Sequence, residues 1–429
     1  MCNRPEHKSS LMALPLFLLL ATITAKPAMA SGPETDLLKF SFSADGFFPQ
    51  GSLVTDGTNL YGTTSANLPN YGGVVFQLTP PPSGIGPWTE NVLYAFTGGS
   101  DGYEPQAGLV RDASGNLYGT TAYGGVVNAG CCGTVFELSP PSQPGGSWTE
   151  TTLYQFKGGN DGAHSLGTLI MDRQGNLYGT TLDGGQALGC CGTAFELSPP
   201  ATKGGAWMET VLHDFSGGND GQEPEAGLYL DPLGRLFGTT YFGGTSGAGT
   251  VFELTQSLGV WSERVLYSFS GGADGGEPAS GVVGYNGALY GTTVLGGAVA
   301  GTVFQLTEAN GKVTEKVIYA FQDGSDGGSP YSGVVVDANG NLYGATANGG
   351  DNNLCRAPNG NGCGVVYELA PPSNGGSWSQ TVLYSFDGAD GYRPVSPPLL
   401  SHQALWGVTL DGGAQSCGYG CGVVYRVGL

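Results

Sequence analysis

Gly115-Asn116-Leu117-Tyr118-Gly119-Thr120-Thr121 contains a phrase that this chain repeats seven times, starting at Leu60, Leu117, Leu177, Leu236, Leu289, Leu342 and Leu405. The copies read LYGTT, LYGTT, LYGTT, LFGTT, LYGTT, LYGAT and LWGVT, at spacings of 57, 60, 59, 53, 53 and 63 residues. Around each copy stand short strand-like runs divided by glycine-rich turns. In the second unit there are four: 107–112 (AGLVRD), 116–121, 134–138 (TVFEL) and 148–156 (WTETTLYQF), the last alternating with period two. Asp-x-x-Gly-Asn between the first two predicts a tight hairpin, and no segment sustains a helical period. Four antiparallel strands repeated seven times predict an all-β fold, a seven-bladed β-propeller. The glycine inside the second strand (Gly62, Gly119, Gly179, Gly238, Gly291, Gly344, Gly407) then marks close approach of a backbone or a large side chain. The neighbouring Tyr, Phe or Trp is expected to fill the space against the next blade.

The two ends of the chain fit ring closure. Residues 36–40 (DLLKF) match the fourth run of a unit, and residues 422–427 (GVVYRV) match the third. The last blade therefore lacks its outer strand and the N-terminal segment has one to spare. Pairing of 37–42 with 422–427 is predicted to seal the ring and hide an edge. An open solenoid is the rival architecture, disfavoured by the lack of atypical capping repeats.

The pattern LYGTT–xxGG–GTVFEL–LYxF–GGxDGxEPxAGLVxD resembles the GloVer-type tandem repeats of exported bacterial proteins, over nearly all of residues 36–429. The resemblance implies export and a propeller-like fold, and it assigns no particular enzymatic activity. Some members carry a C-terminal sorting anchor; none is expected here after Leu429.

Composition agrees with export. Residues 1–30 read as a signal peptide: Arg4 and Lys8, an apolar run from Leu11 to Ile23 too short to span a bilayer comfortably, and the small-x-small site Ala28-Met29-Ala30. Residues 31–429 are then a single domain, secreted or periplasmic, with no membrane span after cleavage. The 78 glycines and 26 prolines approach a disordered composition, but aromatics reach 10% and the glycines recur at fixed places. The net charge of −20 repels nucleic acid and anionic membranes. It suits a monomer with an extracellular glycan or protein ligand, or one holding cations; Ca²⁺ is the one cofactor suggested.

Two loops of each unit share one face, Gly-Gly-x-Asp-Gly-x-Glu-Pro and Gly-Gly-x-x-Gly. The first places Asp45, Asp101, Asp161, Asp220, Asp274, Asp326 and Asp390, each followed by glycine. As a feature of every unit this reads first as a turn cap; the functional alternative is Ca²⁺ ligation, with Asp101, Asp161, Asp220 and Asp274 as candidates. Three residues further on the units differ: Phe48, Glu104, His164, Glu223, Glu277, Ser329 and Arg393. A carboxylate–histidine cluster suits acid–base chemistry or a metal, so Glu104, His164, Glu223 and Arg393 are the catalytic candidates, against solvated rim charges. Tyr103, Tyr241, Phe242, Tyr392 and Trp406 are candidate ligand-stacking residues, against ordinary packing. His213 replaces the tyrosine of a fourth run and reads as core or inter-blade; His402 reads as a turn residue. No Ser-His-Asp order, P-loop, HExxH or redox CxxC is visible.

Eight cysteines follow the leader, two in each of four corresponding loops. In an exported chain they read as disulfides: Cys355–Cys363 and Cys417–Cys421 as loop staples. Cys131-Cys132 and Cys190-Cys191 form either vicinal bridges or links between neighbouring blades; zinc is disfavoured because no histidine lies at ligand spacing. Two functions follow: a binding or surface-interaction module, or a polysaccharide lyase or hydrolase working at the channel mouth.

Overall fold

The computed structural model describes residues 35–429 apart from 85, 126–130, 144, 186–190, 203, 351–354, 356–360 and 374–375; the leader and Cys190 lie outside the described residues. Seven four-stranded antiparallel sheets form, one per unit. Blades 1 to 7 follow chain order, with second strands Leu60–Thr64, Leu117–Thr121, Leu177–Thr181, Leu236–Thr240, Ala288–Thr293, Leu342–Thr346 and Ala404–Thr409. In blade 2 the order outward is Val110–Arg111, Leu117–Thr121, Thr134–Ser139 and Thr149–Gln155. The innermost strand is shorter than its apolar run because the chain is crowded at the axis, where the Gly108 N–H bonds the Thr168 hydroxyl of the next blade at 3.0 Å. The helical turns among the described residues are three 3-10 segments of three residues. No described helix is long and apolar enough to cross a membrane.

Blade 7 closes as predicted, by Thr35–Lys39 pairing with Val423–Gly428 from Thr35↔Arg426 to Lys39↔Val423. Leu37 and Phe40 enter one core with Leu53, Phe76 and Trp406. Each of the seven blade interfaces carries one such hydrophobic cluster.

The LYGTT phrase can now be read atom by atom. Its leucine is buried at the interface with the preceding blade, as Leu117 is among Tyr61, Val75 and Phe96. Its tyrosine packs on a tryptophan of the following blade, as Tyr61 does on Trp148 at 6.3 Å, and bonds the hairpin aspartate, Tyr118 to Asp112 at 3.3 Å. Its glycine yields to the aromatic opposite it: a Cβ on Gly179 would stand 2.7 Å from Phe195 Cζ. That ring in turn meets the phenylalanine ending the previous blade's outer strand, Phe156, at 5.2 Å. The first threonine crosses to the next inner strand, Thr180 to the Ala226 carbonyl at 2.8 Å. The second bonds the carbonyl two residues on, Thr121 to Tyr123 at 3.0 Å. LYGAT and LWGVT lack the crossing hydroxyl; at the first, Ser332 of the same blade bonds both the N–H and the carbonyl of Ala345 at 2.9 Å without crossing to blade 7.

The outer strands of blades 1 to 5 also carry a glutamate six residues before the phenylalanine that follows the strand, facing the preceding loop aspartate. Burial, aided by Asp45, pushes Glu90 up to about 8. Burial pushes Glu209, Glu263 and Glu315 up to about 7, with Asp161, Asp220 and Asp274 adding repulsion. Blade 6 has Gln380 instead, whose amide donates to the Asp326 carbonyl at 3.0 Å. The unfolded carboxyls titrate near 4.5, so the folded state holds extra protons above that pH. Their contribution to stability is complete below about pH 4.5 and is lost as pH rises through 7–8. Melting temperature is therefore expected to fall from pH 5.5 to pH 8.5. Glu315→Gln should raise it by about 1–3 °C at pH 8.5 and leave it unchanged at pH 5; a loss at both pH values would contradict this account.

Candidate functional site

The variable position of the first loop has one conformation in every blade. Phe48, Glu104, His164, Glu223, Glu277, Ser329 and Arg393 all have left-handed φ, from 50° to 61°. Each N–H donates to a carbonyl in the preceding blade's second-to-third strand loop, at 2.8–3.2 Å, and each carbonyl accepts an N–H from its own blade's equivalent loop, at 3.0–3.1 Å. The residue is thus pinned between two blades. Left-handed backbone costs a non-glycine residue about 1 kcal/mol or more, yet none of the seven is glycine.

Below these residues an axial cavity of about 270 Å³ is lined by all seven blades. The residue two further along each loop reaches it; at blade 4 this is Glu225, next to Ala226 and Gly227. Sequence reasoning missed Glu225. Its signal was its place two residues past the variable one, but its environment depends on the next blade. Burial, with Glu223 and Glu277 adding repulsion, pushes it up to about 7. Tyr241 donates to Glu277 at 2.7 Å. Among the described residues Glu104, Glu223, Glu225 and Glu277 have no ion-pair partner.

The other variable residues are matched by the loop facing them. His164 Nδ1 lies 2.7 Å from Asp183, Arg393 bonds Asp411 at 3.1 Å, and the Asn348 amide donates to Ser329 at 3.1 Å. Tyr103 stacks on Tyr123 with centroids 5.3 Å apart, and Tyr123 meets His164 at 4.8 Å. Phe48 contacts Phe47 at 5.0 Å, which with exposed Phe42 and Tyr71 makes an aromatic patch at the ring closure.

Glu104, His164 and Glu223 do not gather within 4.8 Å as a ligand group: they stand at equivalent positions on successive blades, where Gln106 donates to Glu104, His164 meets Asp183 and Gln222 donates to Glu223. Trp406 and Tyr392 are buried and unable to stack on a ligand; Trp406 packs on Trp88 at 5.7 Å, and Tyr392 lies under Arg393. Tyr103, Tyr241 and Phe242 are partly exposed at the mouth. The loop aspartates act within their own turns. Asp101 accepts from the Thr97 N–H at 2.8 Å and the Tyr94 hydroxyl at 3.1 Å; Asp161 and Asp274 repeat this, and Asp220 accepts the Ser216 N–H with His213 in the tyrosine's place. They sit one per blade and do not converge. Among the described residues one group of three potential ligands lies within 4.8 Å, His213, Asp220 and Glu263. It is the repeated Tyr–Asp–Glu contact with histidine in the tyrosine's place, His213 Nε2 to Asp220 at 2.9 Å. His402 sits in a hairpin turn with φ 52°.

Disulfides join Cys355 to Cys363, Cys417 to Cys421 and, as a vicinal bridge, Cys131 to Cys132. The carbonyls of Cys132, Cys363 and Cys421 accept the N–H groups of His164, Arg393 and Phe48, so the bridges brace the mouth from behind.

The profile of the family described as the Gloeobacter/Verrucomicrobia repeat matches residues 29–228, 131–358 and 300–428. No curated protein matches the chain. Among solved structures, a puromycin-hydrolysing peptidase of Mycobacterium tuberculosis is similar at 10% identity and TM-score 0.52, over 93% of this chain and 55% of that one. A chain of the mitotic checkpoint complex is similar at 11% identity and TM-score 0.49, over 98% and 99%. A glucose dehydrogenase-type oxidoreductase of Thermus thermophilus is similar at 15% identity and TM-score 0.43, over 73% and 94%. At such identities the likeness concerns the fold alone.

Proposed function

Because the chain belongs to the Gloeobacter/Verrucomicrobia repeat family, whose repeat builds every blade, we propose that it is an exported binding module that takes a glycan at the mouth of its axial channel. The observation that carries this reading is the ring of seven non-glycine side chains, of five kinds, on one left-handed backbone conformation. An architectural need alone would favour glycine there. The mouth offers what sugars use: carboxylates free of ion pairs among the described residues at Glu104, Glu223 and Glu277, and aromatic side chains at Tyr103, Tyr123 and Tyr241. The leader-like residues 1–30 and the disulfides support export. The protein works as a monomer, its seven interfaces all internal.

The test is a glycan array followed by calorimetry on the hits. Glu223→Gly should lower affinity at least tenfold while the melting temperature holds or rises, since glycine accepts φ 57° without strain. Tyr103→Ala should lower affinity as well. No glycan bound, or affinity indifferent to both variants, would overturn the proposal.

One observation favours the hydrolase or lyase reading. Glu225, pushed up to about 7 beside Glu223 and Glu277, would suit a general acid at neutral pH. Under that reading Glu225→Gln abolishes turnover of a bound polysaccharide; under the binding reading it leaves products undetectable before and after the change.

A further inference from the structure

Trp88, Trp148, Trp207, Trp261 and Trp378 open the outer strands of blades 1 to 4 and 6, at one register. Each indole lies against an aromatic ring of the preceding blade's second strand, respectively Trp406, Tyr61, Tyr118, Tyr178 and Tyr290, with centroids 5.7–6.4 Å apart. Blade 5 has Val313 at this register, in the cluster around Phe237 of blade 4. The corresponding residue of blade 7 precedes Thr35 and is outside the described residues.

A cavity of about 560 Å³ opens between Phe237 and Val313, a size usual for small-molecule sites. More than one substitution makes it. Tyr229 stands where other inner strands carry an aliphatic residue, and its ring lies over Gly284 of blade 5, where a Cβ would come within 2.5 Å of the ring. The blade 5 hairpin is shortened to Asn286-Gly287, both with positive φ, and Tyr285 beside it turns toward blade 6, where its hydroxyl bonds the Ala338 carbonyl at 3.0 Å. One wall is thus aromatic, from Tyr229 and Phe237, and the other aliphatic, from Leu289, Leu306 and Val313. The rim is polar: Arg235 bonds Asp231 at 2.7 Å and Glu253 at 2.9 Å, and Arg264 bonds Glu253 at 2.7 Å and Glu308 at 2.9 Å. Three carboxylates surround two guanidinium groups, so the rim repels an anion.

We propose that this cavity is a second binding site, independent of the channel mouth, for a small bicyclic aromatic ligand of indole type, neutral or positively charged. The ligand occupies the place that a tryptophan side chain takes in the sister blades. Phe237 receives its edge, and Tyr229 flanks it. An ammonium group on such a ligand reaches the carboxylate excess formed by Asp231 and Glu308.

Indole, tryptamine and indole-3-acetate are the probes, titrated into the whole protein by calorimetry and by NMR. Indole and tryptamine should bind saturably, with dissociation constants of about 0.1–1 mM for ligands of this size, and indole-3-acetate at least threefold more weakly than tryptamine. Val313→Trp refills the groove as five other blades do, so it should lose at least tenfold in affinity at unchanged melting temperature. Val313→Phe should act in the same direction, which keeps the test decisive if the larger residue disturbs folding. Glu277→Gln, at the mouth, should leave indole binding unchanged. Absence of saturation with both indole and tryptamine, affinity in the two Val313 variants equal to that of the parent protein, or tightest binding by indole-3-acetate would overturn the proposal.

Discussion

Gly179→Ala is expected to destabilise the protein by about 1–3 kcal/mol, more than its single methyl group suggests. The new Cβ would stand 2.7 Å from Phe195 Cζ and 2.8 Å from Leu169 Cδ2. Neither neighbour has room to retreat. Phe195 is fully buried and braced by Phe156 from the preceding blade, and close-packed interiors force such overlap into rotamers or backbone. The origin of the cost can be isolated by a double change. Phe195→Leu alone should be destabilising through lost packing, but Gly179→Ala with Phe195→Leu should cost clearly less than the sum of the two, because the shorter side chain removes the collision. Thermal or denaturant melts of the four proteins decide it. Additive losses would mean that the glycine is required for its backbone and not for the ring opposite.

That glycine shows how far one sequence can be read. Its recurrence in seven strands implied a bulky neighbour, and the neighbour is the aromatic of the paired strand. The closure was legible for the same reason: a strand-type mismatch between the two ends has only one repair in a ring. The mouth was legible in part. Repeat register located the variable residues, yet register says only that they occupy equivalent places, and equivalent places on a ring are apart. Their real partners, Asp183 for His164 and Asp411 for Arg393, lie 19 and 18 residues downstream in another loop. A sharper alignment of the loops would have exposed that covariation of charge. Trp406 has the chemistry of a stacking residue, but in the LYGTT frame its position is core in every unit. Val313 stands in the sequence as an interruption in a column of tryptophans, but only the structure shows the cavity that opens beside it.

Removing the N-terminal strand should have a larger effect than any single substitution. Truncation through Phe40 would leave Val423–Gly428 as an unpaired edge and strip Leu37 and Phe40 from the core shared with blade 1. It would also delete the Lys39 ammonium that holds the Ala389 carbonyl at 2.7 Å. The result expected is a fall in melting temperature of roughly 10 °C or more, together with aggregation through the bared edge. A point substitution gives a cleaner measure of what closure adds. Phe40→Ala and Phe156→Ala remove the same side chain from equivalent interfaces, with rings 5.3 Å from Phe76 and 5.2 Å from Phe195, and each should cost about 3–5 kcal/mol in packing. Phe156 lies on a strand joined at both ends to its neighbours. Phe40 anchors a strand attached to the ring at one end, so its loss also frees the strand to detach. Phe40→Ala should therefore be the more destabilising of the two and should speed hydrogen exchange along Val423–Gly428 selectively. Equal melting temperatures with uniform exchange would show that the terminal strand is held no differently from the six internal ones, and that ring closure adds nothing to the packing at its seam.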